Sequence, residues 1–131
     1  MNTSTSFAPA IGRILLAAIF LISGFGKLAD PAGTIGYISA VGLPLPEIGY
    51  AIAVIVEIAG GLLLIAGYQT RIAALALAVL TLAAGIFFHN DFADQNQLIH
   101  FLKNVAIVGG LLQVAAFGAG RFSVDARGAT A

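Results

Sequence analysis

Residues 48–67 read IGYAIAVIVEIAGGLLLIAG and decide the fold of this chain. At 1.5 Å per residue such a helix is about 30 Å long, the thickness of the hydrocarbon core of a bilayer. One residue in the run carries a formal charge at neutral pH: Glu57, near its middle and therefore near the bilayer midplane. A carboxylate at that depth is costly unless it is paired, hydrated or protonated. It survives when it faces other protein and has a partner, so any account of function must say what Glu57 meets.

The rest of the chain agrees with a membrane setting. Of 131 residues, 60% are hydrophobic and 9% are charged, where a soluble domain carries about a quarter charged residues. Too little polar surface exists to cover a water-soluble globule. Net charge is zero and no basic run occurs, which argues against a nucleic-acid partner. Cysteine is absent, which removes disulfides, thiol chemistry and thiolate-held clusters. The first ten residues lack a basic stretch, and no small-residue cleavage site follows the first apolar run. That run reads as a retained helix and not as a cleaved signal.

Four apolar segments, residues 11–28, 48–67, 72–88 and 98–117, each have the length of a spanning helix. The expected fold is all-α: one transmembrane domain over residues 1–131, built as an integral four-helix bundle. Asp30-Pro31 has the form of an N-cap followed by proline at the first helical position. It predicts a short interfacial helix over residues 31–41, with Ile35, Tyr37 and Ile38 as membrane contacts, ended by the Gly42-Leu43-Pro44-Leu45-Pro46 break. The tail after Gly118 reads as polar and frayed. Arg13-Ile14 and Arg71-Ile72 open the first and third spans, and Gly60-Gly61-Leu62-Leu63 is echoed by Gly109-Gly110-Leu111-Leu112. These echoes suggest a tandem repeat of two helical hairpins. Arg13, Arg71, Arg121 and Arg127 fall on one side of the membrane, which sets the orientation with both termini cytoplasmic.

Each span carries a stripe of small or polar residues: Arg13, Ala17, Phe20, Gly24 and Lys27; Tyr50, Ala53, Glu57, Gly60, Gly61 and Leu64; Ala74, Ala78, Thr81, Gly85 and His89; and His100, Lys103 and Asn104, with Gln113 deeper. Small residues let membrane helices approach closely, so the four stripes are expected to face one another. Lys27, His89, His100, Lys103 and Asn104 share the half of the bilayer away from the termini. The leading pairing is Glu57 with Lys103, with Lys27 as the alternative, and Asn104 or a histidine as further hydrogen-bond partners. Arg13 lies roughly 10 Å or more from Glu57 along the bundle, too far for a direct pair.

Plainer roles compete with each of these. Lys27 and Arg13 lie near span ends, where snorkelling is a sufficient explanation. The histidines serve equally as interfacial caps, and Asn104 and Gln113 as hydrogen-bonding glue between helices. Glu57 and Lys103 are too deep for interface residues, though a purely structural ion pair would account for them. Two histidines at adjacent span ends raise haem or metal ligation with Asp91 or Asp94, but their spacing matches no ligand motif, and no metal site is expected. No dinucleotide fingerprint, phosphate loop, zincin motif or nucleophile elbow is present, so the chain does not read as a self-sufficient enzyme.

Taken in order, these marks resemble the DoxX family of small bacterial membrane proteins. They are Gly12-Arg13; Phe20, Ser23-Gly24 and Lys27; Gly42-Leu43-Pro44; Glu57 with Gly60-Gly61; Arg71; His89; Lys103-Asn104; Gly109-Gly110; and the Gly120-Arg121-Phe122-Ser123-Val124-Asp125 ending. The resemblance implies a four-helix protein of the bacterial inner membrane, often linked to redox processes. Family relatives include a quinone-reducing membrane component of thiosulfate oxidation and a membrane organiser for thiol-redox enzymes. It implies a quinone, or another small amphiphile, as the candidate ligand beside Glu57, or a docked oxidoreductase carrying the cofactor.

Three readings follow. A membrane subunit or anchor of a redox system would hold a quinone-like headgroup among Glu57, Lys103, His89 and Lys27, with Glu57 or a histidine exchanging its protons. A scaffold or assembly factor would use the same network only to fix helix register. A small-solute transporter would need more than four spans, hence a homodimer.

Overall fold

The fold is taken from a computed structural model, which describes residues 3–130, with side chains over residues 7–127. Six helices follow in order: α1 (Thr3–Ala29), α2 (Pro31–Ala40), α3 (Pro46–Ala66), α4 (Thr70–Phe88), α5 (Gln95–Phe117) and α6 (Val124–Thr130). Four of them, over Phe7–Ala29 in α1 and throughout α3, α4 and α5, are long and apolar enough to cross a membrane. The fold is the four-helix membrane bundle that the sequence calls for.

Local chemistry explains most helix ends. Asp30 accepts a hydrogen bond from the Gly33 N–H, and Pro31 starts α2 where a missing N–H costs nothing. Pro46 does the same for α3. Gly67, at φ +67°, ends α3, its N–H returning to the Leu63 carbonyl. Asp94 caps α5 by accepting from Asn96 and Gln97, so that helix starts three residues before its first apolar residue, Leu98.

Helix α1 packs extensively on α3, and α4 on α5; the two pairs join along α3 and α4, with α1 touching α5 only lightly. Ala17, Phe20, Leu64, Ala74, Leu77, Ala78 and Leu111 form the contiguous buried core. Close approach is built into this seam. A Cβ at Gly60 would stand 2.9 Å from Leu77, and one at Gly24 would stand 2.6 Å from Ile58. Large apolar side chains such as Leu15, Ile22, Ile55 and Val79 point outward on all sides, as lipid-facing residues must.

Three of the four expected stripes face inward. The fourth is a correction. On α5 the buried ridge runs through Asn104, Ile107, Val108, Leu111, Val114 and Ala115, while His100, Lys103 and Gln113 are exposed. One residue is a turn of about 100° on a helix, so Asn104 and Lys103 cannot share a face. Ile38 is also not a membrane contact. It is buried on α3 beside Gly49, while Tyr37 stacks on Phe88 with ring centroids 5.0 Å apart.

The segment after α5 is docked, contrary to the frayed tail expected. Phe122 stacks on Phe7 with centroids 4.6 Å apart, Ser123 caps α6, and the Asp125 N–H donates to the Gly67 carbonyl.

Candidate functional site

Glu57 is met by Lys27, not by Lys103. The Lys27 ammonium donates to Glu57 Oε1 at 3.0 Å and Oε2 at 3.1 Å, and to Ser23 Oγ at 2.7 Å. The Ser23 hydroxyl in turn donates to Glu57 Oε1 at 3.3 Å. Ser23 and Lys27 are one turn apart on α1, so they present a hydroxyl and a charge to α3 on one face. Gly24 between them removes the side chain that would hold the two helices apart. The Glu57 side chain is 10% exposed and that of Lys27 25%. The pair is therefore largely out of water, where Coulomb attraction is strong and desolvation costly. Tyr50 completes the corner by donating its hydroxyl to the Lys27 carbonyl at 3.1 Å, a carbonyl of the last turn of α1 that also accepts the Asp30 N–H at 3.3 Å.

Lys103 lies outside this network. It is exposed on α5, and it takes no hydrogen bond or ion pair with the described residues.

Beside the ion pair lies a cavity of about 750 Å³, bounded by residues of all four spanning helices and by α2 as a lid. Its polar wall holds Ser23, Lys27, Glu57, Thr81, His89 and Asn104; its apolar wall holds Phe20, Tyr37, Ile52, Phe87, Phe88 and Ile107. Asn104 donates to the Thr81 carbonyl at 3.2 Å, and Thr81 donates its hydroxyl to the Leu77 carbonyl at 2.6 Å. His89 packs against His100 with ring centroids 5.0 Å apart, and its Nδ1 lies 3.3 Å from Gln97 Oε1. His100 thus backs His89 from outside and does not line the cavity. Among the described residues no group of three or more His, Asp or Glu is placed to hold a metal ion. The cavity can take an amphiphile whose polar end meets Lys27, Asn104 and His89 and whose apolar part lies along the aromatic wall.

The opposite end is closed by Arg13, which corrects its reading as a snorkelling anchor. Arg13 is 2% exposed. Its guanidinium donates to four carbonyls: Ala119 at 2.9 Å, Leu64 at 2.6 Å, Ile65 at 3.1 Å and Phe122 at 2.5 Å. Leu64 and Ile65 belong to the last turn of α3, where the helix itself leaves carbonyls short of donors; Leu64 also accepts the Gly67 N–H at 3.2 Å. Asp125 acts at the neighbouring helix end. Its carboxylate accepts from the Gln69 N–H at 2.9 Å and the Thr70 N–H at 3.0 Å, capping α4 where Gln69 makes no side-chain cap. The Thr70 hydroxyl is buried beside this carboxylate, out of line for a regular hydrogen bond. That hydroxyl first, then the two N–H groups and the Arg13 charge, hold the Asp125 carboxyl below the ordinary range against some loss of hydration. Arg71 and Arg121 are exposed at the same end, Arg121 lying 5.5 Å from the Phe122 ring centroid; Arg127 is exposed on α6.

The sequence places Tyr50 and Thr81 on inward stripes but does not show the hydrogen bonds they make, nor those of Ser23 and Asp125. Ser23 carried a usable signal, because it precedes Lys27 by four residues.

A membrane bundle with an acid–base pair beside a half-open cavity defines the class, and sequence comparison supplies the family. The chain belongs to the DoxX family, whose profile matches residues 8–90, from α1 to the end of α4. It is 37% identical over 118 residues to the inner membrane protein YqjF of Escherichia coli (strain K12), covering 88% of this chain and 87% of that one. With the inner membrane protein YphA of the same organism it shares 35% over 123 residues, 89% and 87% of the two chains. A Bacillus subtilis (strain 168) protein named "Putative oxidoreductase CatD" is 33% identical over 84 residues, 64% of this chain and 61% of its own. No solved structure matches the chain. Four spans and these relatives make it a multi-pass protein of the inner membrane.

Proposed function

We propose that this protein is the membrane component of a redox-associated system and binds a quinone-like amphiphile in the cavity beside Glu57. The observation that carries the reading is the Lys27–Glu57 pair on the polar side of a cavity of about 750 Å³ whose remaining lining is largely apolar and aromatic. A quinone headgroup needs a flat apolar slot and donors for its carbonyl oxygens. Phe20, Phe87 and Phe88 offer the first, and Lys27, Asn104 and His89 the second. A bound quinone would supply electron and proton transfer; this chain's part is to hold the headgroup and exchange protons at Glu57 or His89. The electrons come from a partner oxidoreductase in this reading, in keeping with the name of the Bacillus relative. The arginine-bearing end faces the cytoplasm, by the positive-inside rule.

The test is saturable binding of a short-chain ubiquinone to the purified protein in uncharged detergent. Binding should weaken on the order of tenfold when Asn104→Leu or Glu57→Gln alters the polar wall. No saturable binding by the folded wild-type protein would overturn the reading.

One observation favours a second reading, a scaffold without chemistry. The Ser23–Lys27–Glu57 network is satisfied within itself, as a lock on helix register would be. Under that reading Glu57→Gln lowers the amount of protein in the membrane and leaves partner activity per molecule unchanged.

A further inference from the structure

A second cleft, of about 610 Å³, opens at the end of the bundle that carries the chain termini, between the start of α4 and the segment after α5. It shares no lining residue with the cavity beside Glu57. Arg71 and Arg121 both line it, and both are exposed. Neither takes a hydrogen bond or an ion pair with the described residues; Arg121 has only the face of Phe122. Asp125 also borders the cleft, but its two oxygens already accept the Gln69 and Thr70 N–H groups. Gly118, Ala119 and Gly120 also line it, and the Arg71 guanidinium lies against Gly118, where a Cβ would stand 3.3 Å from its Nη2.

Depth adds to this. Arg71 is the second residue of the span Thr70–Phe88, and Arg121 follows the span Gln95–Phe117 by four residues. Both therefore stand at headgroup level on the same end of the bundle. A guanidinium presents a planar fork that fits phosphate oxygens, and two of them border this one cleft.

We propose that this cleft binds the phosphate group of an anionic phospholipid headgroup, clasped between Arg71 and Arg121. Basic residues at this depth are attracted to anionic lipid, and the attraction falls with ionic strength. A lipid bound here bridges the start of α4 and the α5–α6 segment, and so stabilises the bundle by mass action.

The test follows thermal unfolding of the whole protein in uncharged detergent while short-chain phosphatidylglycerol, phosphatidylcholine or inorganic phosphate is added. Phosphatidylglycerol should raise the midpoint saturably and phosphatidylcholine should not. In Arg71→Gln/Arg121→Gln the concentration for half of the shift should rise on the order of tenfold or more. Lys103→Gln, which removes an exposed charge elsewhere, should leave it unchanged. Should the double variant fail to fold, Arg121→Gln alone gives the same comparison. An equal shift with inorganic phosphate would support the phosphate site and assign it to the free ion instead of lipid. An unchanged response in the arginine variants, or an equal response to phosphatidylcholine, would overturn the proposal.

Discussion

The Lys27 ammonium sits almost midway between the two oxygens of Glu57, at 3.0 and 3.1 Å, and binds α1 to α3 at the depth where water is scarcest. Removing either member strands the other. Glu57→Gln or Lys27→Met should each destabilise the protein by on the order of 3 kcal/mol. The double variant Lys27→Met/Glu57→Gln should lose clearly less than the sum, which a double-mutant cycle on thermal unfolding in detergent would show. Lys103→Met should change stability by under about 0.5 kcal/mol, since Lys103 is exposed. Strict additivity of the two single variants would contradict the pair.

Arg13→Lys should behave as a severe change despite keeping the charge. A lysine has one nitrogen to offer where the guanidinium reaches carbonyls on α3 and on the segment after α5. At least two buried carbonyls would lose their donor, for a loss of about 2–4 kcal/mol. Membrane abundance and unfolding temperature are the measurements, and a variant within 0.5 kcal/mol of wild type on the same scale would show that the carbonyls find other donors.

Asp125 gives the bundle an acid-sensitive end. Its folded carboxyl is held below the ordinary value of 3.8 by the Thr70 hydroxyl, by the Thr70 and Gln69 N–H groups and by Arg13. For a group lowered in this way the stabilisation is fully present above the unfolded value. It is lost as pH falls below that value and through the lower folded one. Asp125→Asn should therefore lower stability at neutral pH and flatten the wild-type decline below roughly pH 4. A variant that keeps the full acid-limb slope would assign that slope to other carboxyls.

Gly67→Ala should destabilise by about 1–2 kcal/mol from backbone conformation alone, since Gly67 holds φ +67°. Crowding adds to this, because a Cβ there would press on Ser123 and on the Arg13 guanidinium. Gly12→Ala is the matched control. A Cβ at Gly12 meets nothing within 4 Å inside α1, so that change should be neutral or mildly stabilising. Unfolding midpoints of the two variants, read side by side, check both statements.

Much of this architecture is legible in the sequence, for physical reasons. Span length is fixed by bilayer thickness, so the four helices follow from runs of apolar residues. Asp30-Pro31 announces α2 through capping chemistry. Glu57 must face protein because lipid cannot solvate it. The choice of its partner is not legible, because Lys27 and Lys103 lie at similar depth and only the rotation of each helix separates them. On α5 that rotation is set by Asn104 reaching the Thr81 carbonyl and by Leu111 entering the core. The polar residues His100, Lys103 and Gln113 point to another face. The role of Asp125 escapes for a different reason. A cap supplied from far along the chain has no local pattern, unlike Asp94, which caps the helix that follows it.

That long-range cap has a consequence for assembly. The first N–H groups of α4 wait for a carboxylate 55 and 56 residues downstream. While the chain is being made, α3 and α4 enter the membrane with that helix start unfinished. The Arg13 guanidinium, which already reaches the Leu64 and Ile65 carbonyls of α3, likewise lacks two of its acceptors until the carbonyls of Ala119 and Phe122 arrive. Closure of this end therefore has to wait until the segment after α5 has been made, and a chain stopped at Phe117 would leave the Gln69 and Thr70 N–H groups without their carboxylate.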